Sequence, residues 1–424
     1  MTALSLFLWI AGGIVVQVVA YLGLGFWRHW LAYQGLCRSL ETVDPATGAA
    51  ASGETPARPA AWAGYRAFRV KARAFEDAAQ SVCSFFLVPE DQQALPPFCP
   101  GQFLTFRLEV PNAAGGVDQV IRCYSLSDAP QASAYRVSIK RAAPPPGLAV
   151  QPGRSSTYFH DQLGIGDLLQ VRAPAGHFYL DHGTAPVVLL AGGIGITPLL
   201  SMLNWSLAEQ SGREIWLFYG VRDGDEVVMR AHLEQLAASH PHFHLRLCVS
   251  KPRAGDEAGR DYHHPERISV DLLRRELPLK PYHFYLCGPT PLLESMVPGL
   301  AAWGVPEARI HFEAFGPASL KRPSAALVQG AEAASVAPGS ELVVSFARSG
   351  QQFSWSTTAG NLLDFAEAHG VSVNSGCRAG GCGSCQTRIE SGEVSYSQAP
   401  DFDPEPGSCL LCMCIPKTSV TLEA

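Results

Sequence analysis

Three cysteines in one glycine-rich stretch constrain the fold of this 424-residue chain more than any other feature. Cys377, Cys382 and Cys385 follow the spacing Cys-x4-Cys-x2-Cys. Their thiolates are soft ligands that suit iron-sulfur chemistry, and the interleaved glycines let the backbone approach cluster sulfurs closely. Paired cysteines also suit a tetrahedral zinc site, which is the alternative. The stretch therefore predicts a metal centre held by a loop, with iron-sulfur favoured.

A fourth ligand is expected downstream, where three more cysteines lie close together. Residues 338–424 resemble plant-type 2Fe-2S ferredoxins, which share the spacing of the first three cysteines. In that family the last ligand usually lies four residues before a proline, as Cys412 does before Pro416. The resemblance therefore implies that Cys412 is the fourth ligand, that Cys409 and Cys414 are neighbours of the cluster, and that the domain is a β-grasp fold.

Length, charge and cysteine distribution limit the class of protein. A chain of 424 residues has room for about three domains. Its net charge of -6 provides no basic surface for nucleic acid. Six of the twelve cysteines lie within residues 377–414, which indicates metal binding in a reducing compartment and not a secreted disulfide scaffold.

The N-terminus predicts a membrane anchor over residues 1–28. Residues 3–27 contain no charged side chain, and a helix of that length would span roughly 37 Å, enough to cross a hydrocarbon core of about 30 Å. Arg28 and Arg38 follow it, so the positive-inside rule predicts a single-pass protein of the inner (cytoplasmic) membrane with its catalytic domains in the cytoplasm. A cleaved signal peptide, a buried helix and a docking helix are the alternatives. Residues 29–60 are rich in Ala, Gly, Pro and Ser and are predicted to be a linker.

Alternating apolar and polar residues begin at about residue 61, in short runs separated by Pro and Gly. This pattern predicts an antiparallel β-barrel, to which we assign residues 61–182. The barrel contains Arg122, Tyr124 and Ser125 on one predicted strand. An arginine, an aromatic ring and a hydroxyl can contact a phosphate, a planar ring system and a polar ring edge, a set that suits a flavin nucleotide. A cross-strand packing face would look similar.

Residues 61–320 resemble the ferredoxin-NADP reductase superfamily, especially the reductase part of flavohaemoglobins, where Arg-x-Tyr-Ser is the flavin motif. The resemblance implies that Arg122 holds the flavin pyrophosphate, Tyr124 lies against the isoalloxazine and Ser125 reaches its polar edge. It assigns further flavin contacts to Gly153, Ser155, Ser156 and Lys140. For Lys140 a solvated strand lysine is the alternative. FAD is favoured over FMN, which related phthalate dioxygenase reductases use with a similar motif.

A continuous apolar run at residues 186–191 leads into a glycine turn and then a helix, which is the physical arrangement that binds a pyrophosphate. The candidate nucleotide contacts in this turn are Gly192, Gly193, Gly195, Thr197 and Pro198. Strands then alternate with helical stretches, so residues 183–320 are predicted to form an α/β domain with a parallel sheet.

The last long strand of this domain ends in Cys287, Gly288 and Pro289. Ligands of open α/β sheets bind beyond the carboxyl ends of the strands, so these residues are expected to face the same crevice as the glycine turn. The resemblance implies that the nicotinamide lies beside Cys287, with a plain buried cysteine as the alternative, and that Glu313 and Phe315 lie near the flavin and nicotinamide. The candidate catalytic residues are thus Ser125, Cys287, Glu313 and Phe315.

The choice between NADH and NADPH depends on two loops. NADPH users of the superfamily tend to have Ser-Arg at the position that Ser250 and Lys251 occupy here. Asp223 and Asp225 would repel a 2′-phosphate, which favours NADH. Arg222 could reverse this preference, so NADPH stays possible.

The sequence thus predicts a multidomain reductase: membrane anchor, barrel, α/β domain, a linker at 321–337 and the ferredoxin domain. It would pass electrons from NADH through FAD and a 2Fe-2S cluster to a protein partner such as an oxygenase, itself possibly bound to the membrane. A small-molecule or quinone acceptor, and a non-catalytic redox sensor or scaffold, are the alternatives.

Overall fold

A computed structural model of the chain describes residues 61–314 and 342–424, except residues 63, 113–114, 145–151, 211, 357–358, 377, 379, 397–399, 401 and 403. The predicted anchor and both predicted linkers lie outside these ranges. Within them, no helix combines the length and the apolar character that crossing a bilayer requires. All of the described residues belong to one unit, Ala60–Ala424.

The first sheet has six antiparallel strands in the order β4-β3-β6-β1-β2-β5. They are β1 (Arg66–Phe75), β2 (Val82–Pro89), β3 (Phe103–Pro111), β4 (Val117–Ser125), β5 (Tyr135–Lys140) and β6 (Leu168–Val171). A bridge between Leu126, just beyond β4, and Val137 on β5 joins the two ends of this sheet. The alternating pattern thus closes into the predicted barrel, with residues such as Phe68, Phe85 and Phe106 in its core.

Helix α1 (Arg154–Thr157) and the π-helical turn that continues it (Tyr158–Gln162) pack onto the barrel. The ring of Phe159 meets Phe85 and Phe106 edge-on, at centroid distances of 5.2 and 5.5 Å. This packing fixes α1 beside the strand that carries the predicted flavin residues.

The second sheet is parallel, with five strands in the order β11-β10-β7-β8-β9. Its strands are β7 (Val187–Gly192), β8 (Ile215–Val221), β9 (Phe243–Val249), β10 (His283–Gly288) and β11 (Ile310–Ala314), and its helices are α2 (Ile196–Glu209), α3 (Arg230–Ser239), α4 (Val270–Glu276) and α5 (Thr290–Ala302). Every residue of β7 is buried, as its uninterrupted apolar sequence predicts for a strand covered on both faces. The predicted parallel α/β domain is confirmed.

The third sheet is mixed, with strands in the order β13-β12-β18-β14-β16. The elements of this domain are β12 (Val343–Phe346), β13 (Gln351–Ser354), α6 (Leu362–Ala368), β14 (Gln386–Ser391), β15 (Val394–Tyr396), β16 (Ser408–Leu410), β17 (Cys414–Pro416) and β18 (Val420–Leu422). Asn361 caps the N-terminus of α6, because its side-chain oxygen accepts a hydrogen bond from Asp364 N at 2.9 Å. The order of strand, strand, helix and cysteine loop matches the predicted ferredoxin domain.

Candidate functional site

Strand β4 presents the predicted flavin residues near its C-terminal end. The Tyr124 and Ser155 hydroxyls share a hydrogen bond of 2.8 Å, which links β4 to α1. Burial raises the pKa of Tyr124, so its phenol stays neutral. Arg122 is exposed and donates to Ile121 O at 2.7 Å. No ion pair involves Arg122 in the described part of the chain, which suits it to an anionic ligand.

Ser125 and the residues behind it lie in the barrel wall. Ser125 is buried and stands opposite Phe103 in the β3–β4 pairing. Beyond it, the Ser127 hydroxyl lies 2.8 Å from that of Ser138, which in turn lies 2.7 Å from the Ser84 hydroxyl. The three buried hydroxyls satisfy one another behind the predicted flavin strand. The sequence gives no sign of this hydrogen-bonded row of serines, because Ser84, Ser127 and Ser138 come from three separate parts of the barrel.

The loop before α1 is closed by its own side chains. The Ser156 hydroxyl donates to Gly153 O at 2.9 Å and accepts from Ala142 N at 3.1 Å. A Cβ on Gly153 would lie 2.7 Å from Ala142 Cβ, so a glycine is needed for this close approach. Ser156 therefore shapes the loop through internal contacts, and its predicted flavin contact stays a prediction.

Lys140 reaches towards the α/β domain. Its ammonium lies 3.9 Å from a carboxylate oxygen of Glu226, in the turn after β8. The alternative, a solvated strand lysine without a partner, does not account for this contact between two domains. A contact with the flavin stays a prediction for Lys140.

The glycine turn lies directly against the end of β10, and a shared nucleotide crevice stays a prediction. A Cβ on Gly195 would lie 2.1 Å from Cys287 O, so only a glycine allows the two backbones to touch. Gly193 has φ +52°, in the left-handed region. The remaining candidates of this crevice are Gly192, Thr197, Pro198, Gly288 and Pro289. The buried Thr197 hydroxyl donates to Ile194 O at 3.0 Å and so stabilises the turn.

Cys287 and Glu313 are partners across β10 and β11. Cys287 is fully buried, and burial raises its thiol pKa well above the ordinary value. The Glu313 atom Oε2 is buried with no hydrogen-bond partner among the described residues, and burial raises the pKa of this carboxyl to about 8. At neutral pH most of the Glu313 carboxyl is therefore protonated and can donate a proton or a hydrogen bond. Phe315, the remaining catalytic candidate, lies outside the described residues.

The two acids expected to repel a 2′-phosphate share one arginine as their ion-pair partner. Arg253, which sequence reasoning missed, binds Asp225 and lies 3.3 Å from Asp223. The repulsion predicted from Asp223 and Asp225 is therefore weaker than the sequence suggests. The pairing could not be predicted because Arg253 follows β9, 28 residues after Asp225 in the sequence.

The two other candidate cations of this region differ in their pairing. Arg222 binds the Glu226 carboxylate, whose pKa is lowered by the bond to Arg222 and by Lys140 although burial opposes the shift. Lys251 is exposed, its amide donates to Arg222 O at 2.7 Å, and its side chain forms no ion pair within the described ranges. Ser250 is held by a bond from its amide to Val221 O at 3.1 Å.

Three of the four predicted cluster ligands lie in the described part of the ferredoxin domain. The Cys385 and Cys412 sulfurs are 3.1 Å apart, and their hydrogen bond lowers the pKa of Cys385. Ser384 N donates to the Cys382 sulfur at 3.4 Å. Cys377 lies outside the described residues, and within them no three or more His, Cys, Asp or Glu side chains are grouped closely enough to hold a metal ion.

The surroundings of these cysteines fit an iron-sulfur cluster. Cys382, Cys385 and Cys412 are all buried, and the buried Ser384 hydroxyl has no partner among the described residues, so it remains available to a cluster sulfur. Cys409 and Cys414 are fully buried, and their mutual hydrogen bond raises the pKa of Cys414. Of the three downstream cysteines, Cys412 is the one whose sulfur lies 3.1 Å from that of Cys385, which favours Cys412 as the ligand.

Comparison with known protein families gives three domain matches. Residues 75–179 match the oxidoreductase FAD-binding domain, residues 189–297 the oxidoreductase NAD-binding domain and residues 345–417 the 2Fe-2S iron-sulfur cluster binding domain. These matches confirm the predicted cofactor set of FAD, a nicotinamide nucleotide and a 2Fe-2S cluster.

Individual relatives cover the chain to different extents. A flavohemoprotein of Halalkalibacterium halodurans is 36% identical over 266 residues, which are 62% of this chain and 63% of that protein. The chain therefore spans less than two thirds of that relative. The flavohem-like FAD/NAD-binding domain of nitric oxide dioxygenase from Vibrio cholerae is 33% identical, with a TM-score of 0.51, over 60% of this chain and 100% of that domain. Phthalate dioxygenase reductase, a modular structure for electron transfer from pyridine nucleotides to [2Fe-2S], is 26% identical, with a TM-score of 0.51, over 85% of this chain and 98% of that one.

Single alanine substitutions of the downstream cysteines test the ligand set. We expect Cys412→Ala to lose most of the bound iron and the cluster absorbance, because alanine offers no ligand atom. Cys409→Ala and Cys414→Ala are the matched controls and should retain the iron and the cluster absorbance, because these two thiols are hydrogen-bonded to each other. Iron analysis and visible spectra of the purified proteins measure this, with flavin content as the check on folding. Loss of the cluster in a control variant but not in Cys412→Ala would contradict the assignment.

Proposed function

We propose that this chain, which belongs to the ferredoxin-NADP reductase superfamily, delivers electrons from NADH to a protein acceptor such as an oxygenase. It is an NAD(P)H-dependent oxidoreductase with fused FAD-binding, NAD-binding and 2Fe-2S domains. The observation that carries this proposal is the alignment of 85% of the chain with 98% of phthalate dioxygenase reductase, a modular structure for electron transfer from pyridine nucleotides to [2Fe-2S]. A small-molecule or quinone acceptor is the alternative that the sequence leaves open.

The cofactor set matches the electron count of such a reaction. A nicotinamide gives up two electrons together and a 2Fe-2S cluster carries one, while a flavin can do both. The chain's own residues position these groups. Arg122 is suited to the flavin pyrophosphate, and the turn from Gly192 to Gly195 is suited to the nucleotide pyrophosphate. The contact of Gly195 with Cys287 brings the nucleotide turn and the nicotinamide candidate to one place.

The pairing of the loop arginines supports NADH as the electron donor. Arg222 and Arg253 both bind carboxylates of this same region. A 2′-phosphate would have to compete with Glu226 and Asp225 for these guanidinium groups, and Lys251 alone would remain for it. The proposed preference for NADH therefore depends more on arginines that already bind carboxylates than on unpaired carboxylates that would repel the 2′-phosphate.

We also propose that residues 1–28 anchor the protein in the inner membrane, with the catalytic domains in the cytoplasm. The absence of charge over residues 3–27 and the position of Arg28 and Arg38 support this topology. An acceptor held at the same membrane would then be reached by diffusion in two dimensions.

The membrane proposal predicts the behaviour of two forms of the chain on fractionation. The full chain should sediment with membranes and resist extraction by alkaline carbonate, whereas a chain beginning at residue 29 should appear in the supernatant with its flavin bound. Recovery of the full chain in the supernatant would contradict the anchor without affecting the proposed reaction.

The electron path is tested by anaerobic titration of the purified protein with NADH. Flavin absorbance should fall, and a 2Fe-2S signal should rise in low-temperature EPR spectra. Bleaching of the flavin with no cluster signal in a protein that contains iron would contradict transfer to the cluster. No change in either would contradict the reductase proposal and favour a sensor or scaffold.

The nucleotide preference is tested by Glu226→Gln, which frees Arg222 to bind a 2′-phosphate. We expect kcat/KM for NADH to exceed that for NADPH in the unaltered protein, and Glu226→Gln to raise kcat/KM for NADPH by about tenfold, as expected for one added charge-assisted hydrogen bond. The matched control is Glu266→Gln, because Glu266 pairs with Arg275 of α4, outside the turn of residues 222–226. Equal responses of the two variants would show that Arg222 does not determine the preference.

A further inference from the structure

The cluster loop rests directly on the flavin barrel. A Cβ on Gly381 would lie 2.7 Å from the ring of Phe103 and 3.5 Å from Ala175 Cβ, so the loop backbone touches the barrel surface. Phe103 is the residue paired with Ser125 across β3 and β4. One aromatic residue thus lies between the backbone of the cluster loop and the strand predicted to hold the flavin.

Arg172 joins the same two parts of the chain by a hydrogen bond. Arg172 comes directly after β6, and its amide donates to Thr105 O at 2.9 Å, which fixes its backbone to the barrel. Its Nη1 donates to the carbonyl oxygen of Cys382 at 3.0 Å, across 210 residues of sequence. A side chain of the flavin domain therefore holds the backbone of a predicted cluster ligand.

Aromatic rings from both domains hold the guanidinium of Arg172 in place. Its central carbon lies 4.5 Å from the ring centroid of Phe402, in the ferredoxin domain, and 5.2 Å from that of Tyr65, at the start of the barrel domain. The planar guanidinium suits this combination of ring contacts and a directed hydrogen bond, whereas an ammonium does not. Arg107 contacts the same Tyr65 ring at 4.3 Å but, among the described residues, forms no hydrogen bond to the cluster loop.

We propose that Arg172 is a positioning residue that holds the cluster loop against the flavin barrel and thereby sets the rate of electron transfer within one chain. The inference rests on the proposed function. Each NADH supplies two electrons, and the cluster accepts one. Two successive one-electron transfers must therefore cross this contact for each NADH, the second after the acceptor has reoxidised the cluster. Electron transfer slows steeply with distance, so a loosened loop should slow this step and leave hydride transfer unchanged.

The charge of Arg172 has a separate effect. A 2Fe-2S cluster with four thiolate ligands is anionic and gains a further negative charge on reduction. The Arg172 guanidinium, hydrogen-bonded to the carbonyl of Cys382, should favour that reduced form. Net charge and hydrogen bonding near the cluster set its reduction potential. Removing this charge should lower the reduction potential.

Two substitutions at Arg172 separate position from charge. Arg172→Gln removes both the charge and the ring contacts, while Arg172→Lys keeps the charge and loses the planar, forked geometry. Arg107→Gln is the matched control, because it removes a cation from the same Tyr65 ring. Cluster absorbance and flavin content establish that each variant is folded and loaded. If Arg172→Gln fails to load, Arg172→Lys alone carries the test.

Stopped-flow mixing with NADH under anaerobic conditions should show unchanged flavin reduction in all variants. We expect cluster reduction to be slower by about tenfold or more in both Arg172 variants and unchanged in Arg107→Gln. The reduction potential of the cluster should fall in Arg172→Gln and stay near its original value in Arg172→Lys. As a readout independent of turnover, amide hydrogen exchange over residues 380–386 should be faster in both Arg172 variants than in the unaltered protein.

Unchanged cluster reduction in both Arg172 variants, with or without faster exchange, would overturn the inference and leave the proposed function intact. Equal slowing in Arg107→Gln would also overturn it, because the effect would then belong to Tyr65 or to surface charge. Failure of NADH to reduce the flavin of the unaltered protein would instead overturn the proposed function.

Discussion

Close approach of backbone at two glycines brings the three cofactor sites together. Gly195 packs against the carbonyl of Cys287, and Gly381 packs against the ring of Phe103. A side chain at either position would occupy space that another part of the chain fills, and something would have to move. The first contact assembles the nucleotide crevice from two strands of the parallel sheet. The second places the cluster loop beside the flavin barrel, so the path proposed for electrons depends on both contacts.

Polar side chains connect the barrel to the α/β domain. Asp128, just after the flavin motif, accepts hydrogen bonds of 2.7 Å from Ser201 at its carbonyl and from Asn204 at its carboxylate. Ser201 and Asn204 lie on α2, the helix that follows the nucleotide turn. The pair of Lys140 with Glu226 adds a second connection between the same two domains. Hydride transfer requires flavin and nicotinamide to meet, and these contacts relate the elements that would hold them.

Local sequence patterns predicted the elements of this fold, because each depends on neighbouring residues. The apolar run of β7 and the glycine turn after it are both properties of short segments. Helix α2 begins at Ile196, directly after the glycine turn, because Gly195 already has helical backbone geometry. The cysteine spacing is likewise local, and it identified the ferredoxin domain.

Long-range pairs could not be predicted in this way. The bond from Arg172 to Cys382 and the pairing of Arg253 with Asp223 and Asp225 join residues whose proximity depends on how whole sheets and loops are placed. The sequence therefore overestimated the repulsion that Asp223 and Asp225 exert, and it contained no signal for Arg172. The features that relate one cofactor site to another are those that only the assembled structure reveals.

The most direct test of this account is how the rate of cluster reduction depends on protein concentration after anaerobic mixing with NADH. If the cluster loop and the flavin barrel of one chain exchange electrons across the contact at Phe103 and Arg172, the observed rate constant will stay the same as the protein is diluted. A rate constant that falls in proportion to dilution would show that electrons pass between separate molecules. That result would contradict the central claim that one chain holds the whole path from nicotinamide to cluster.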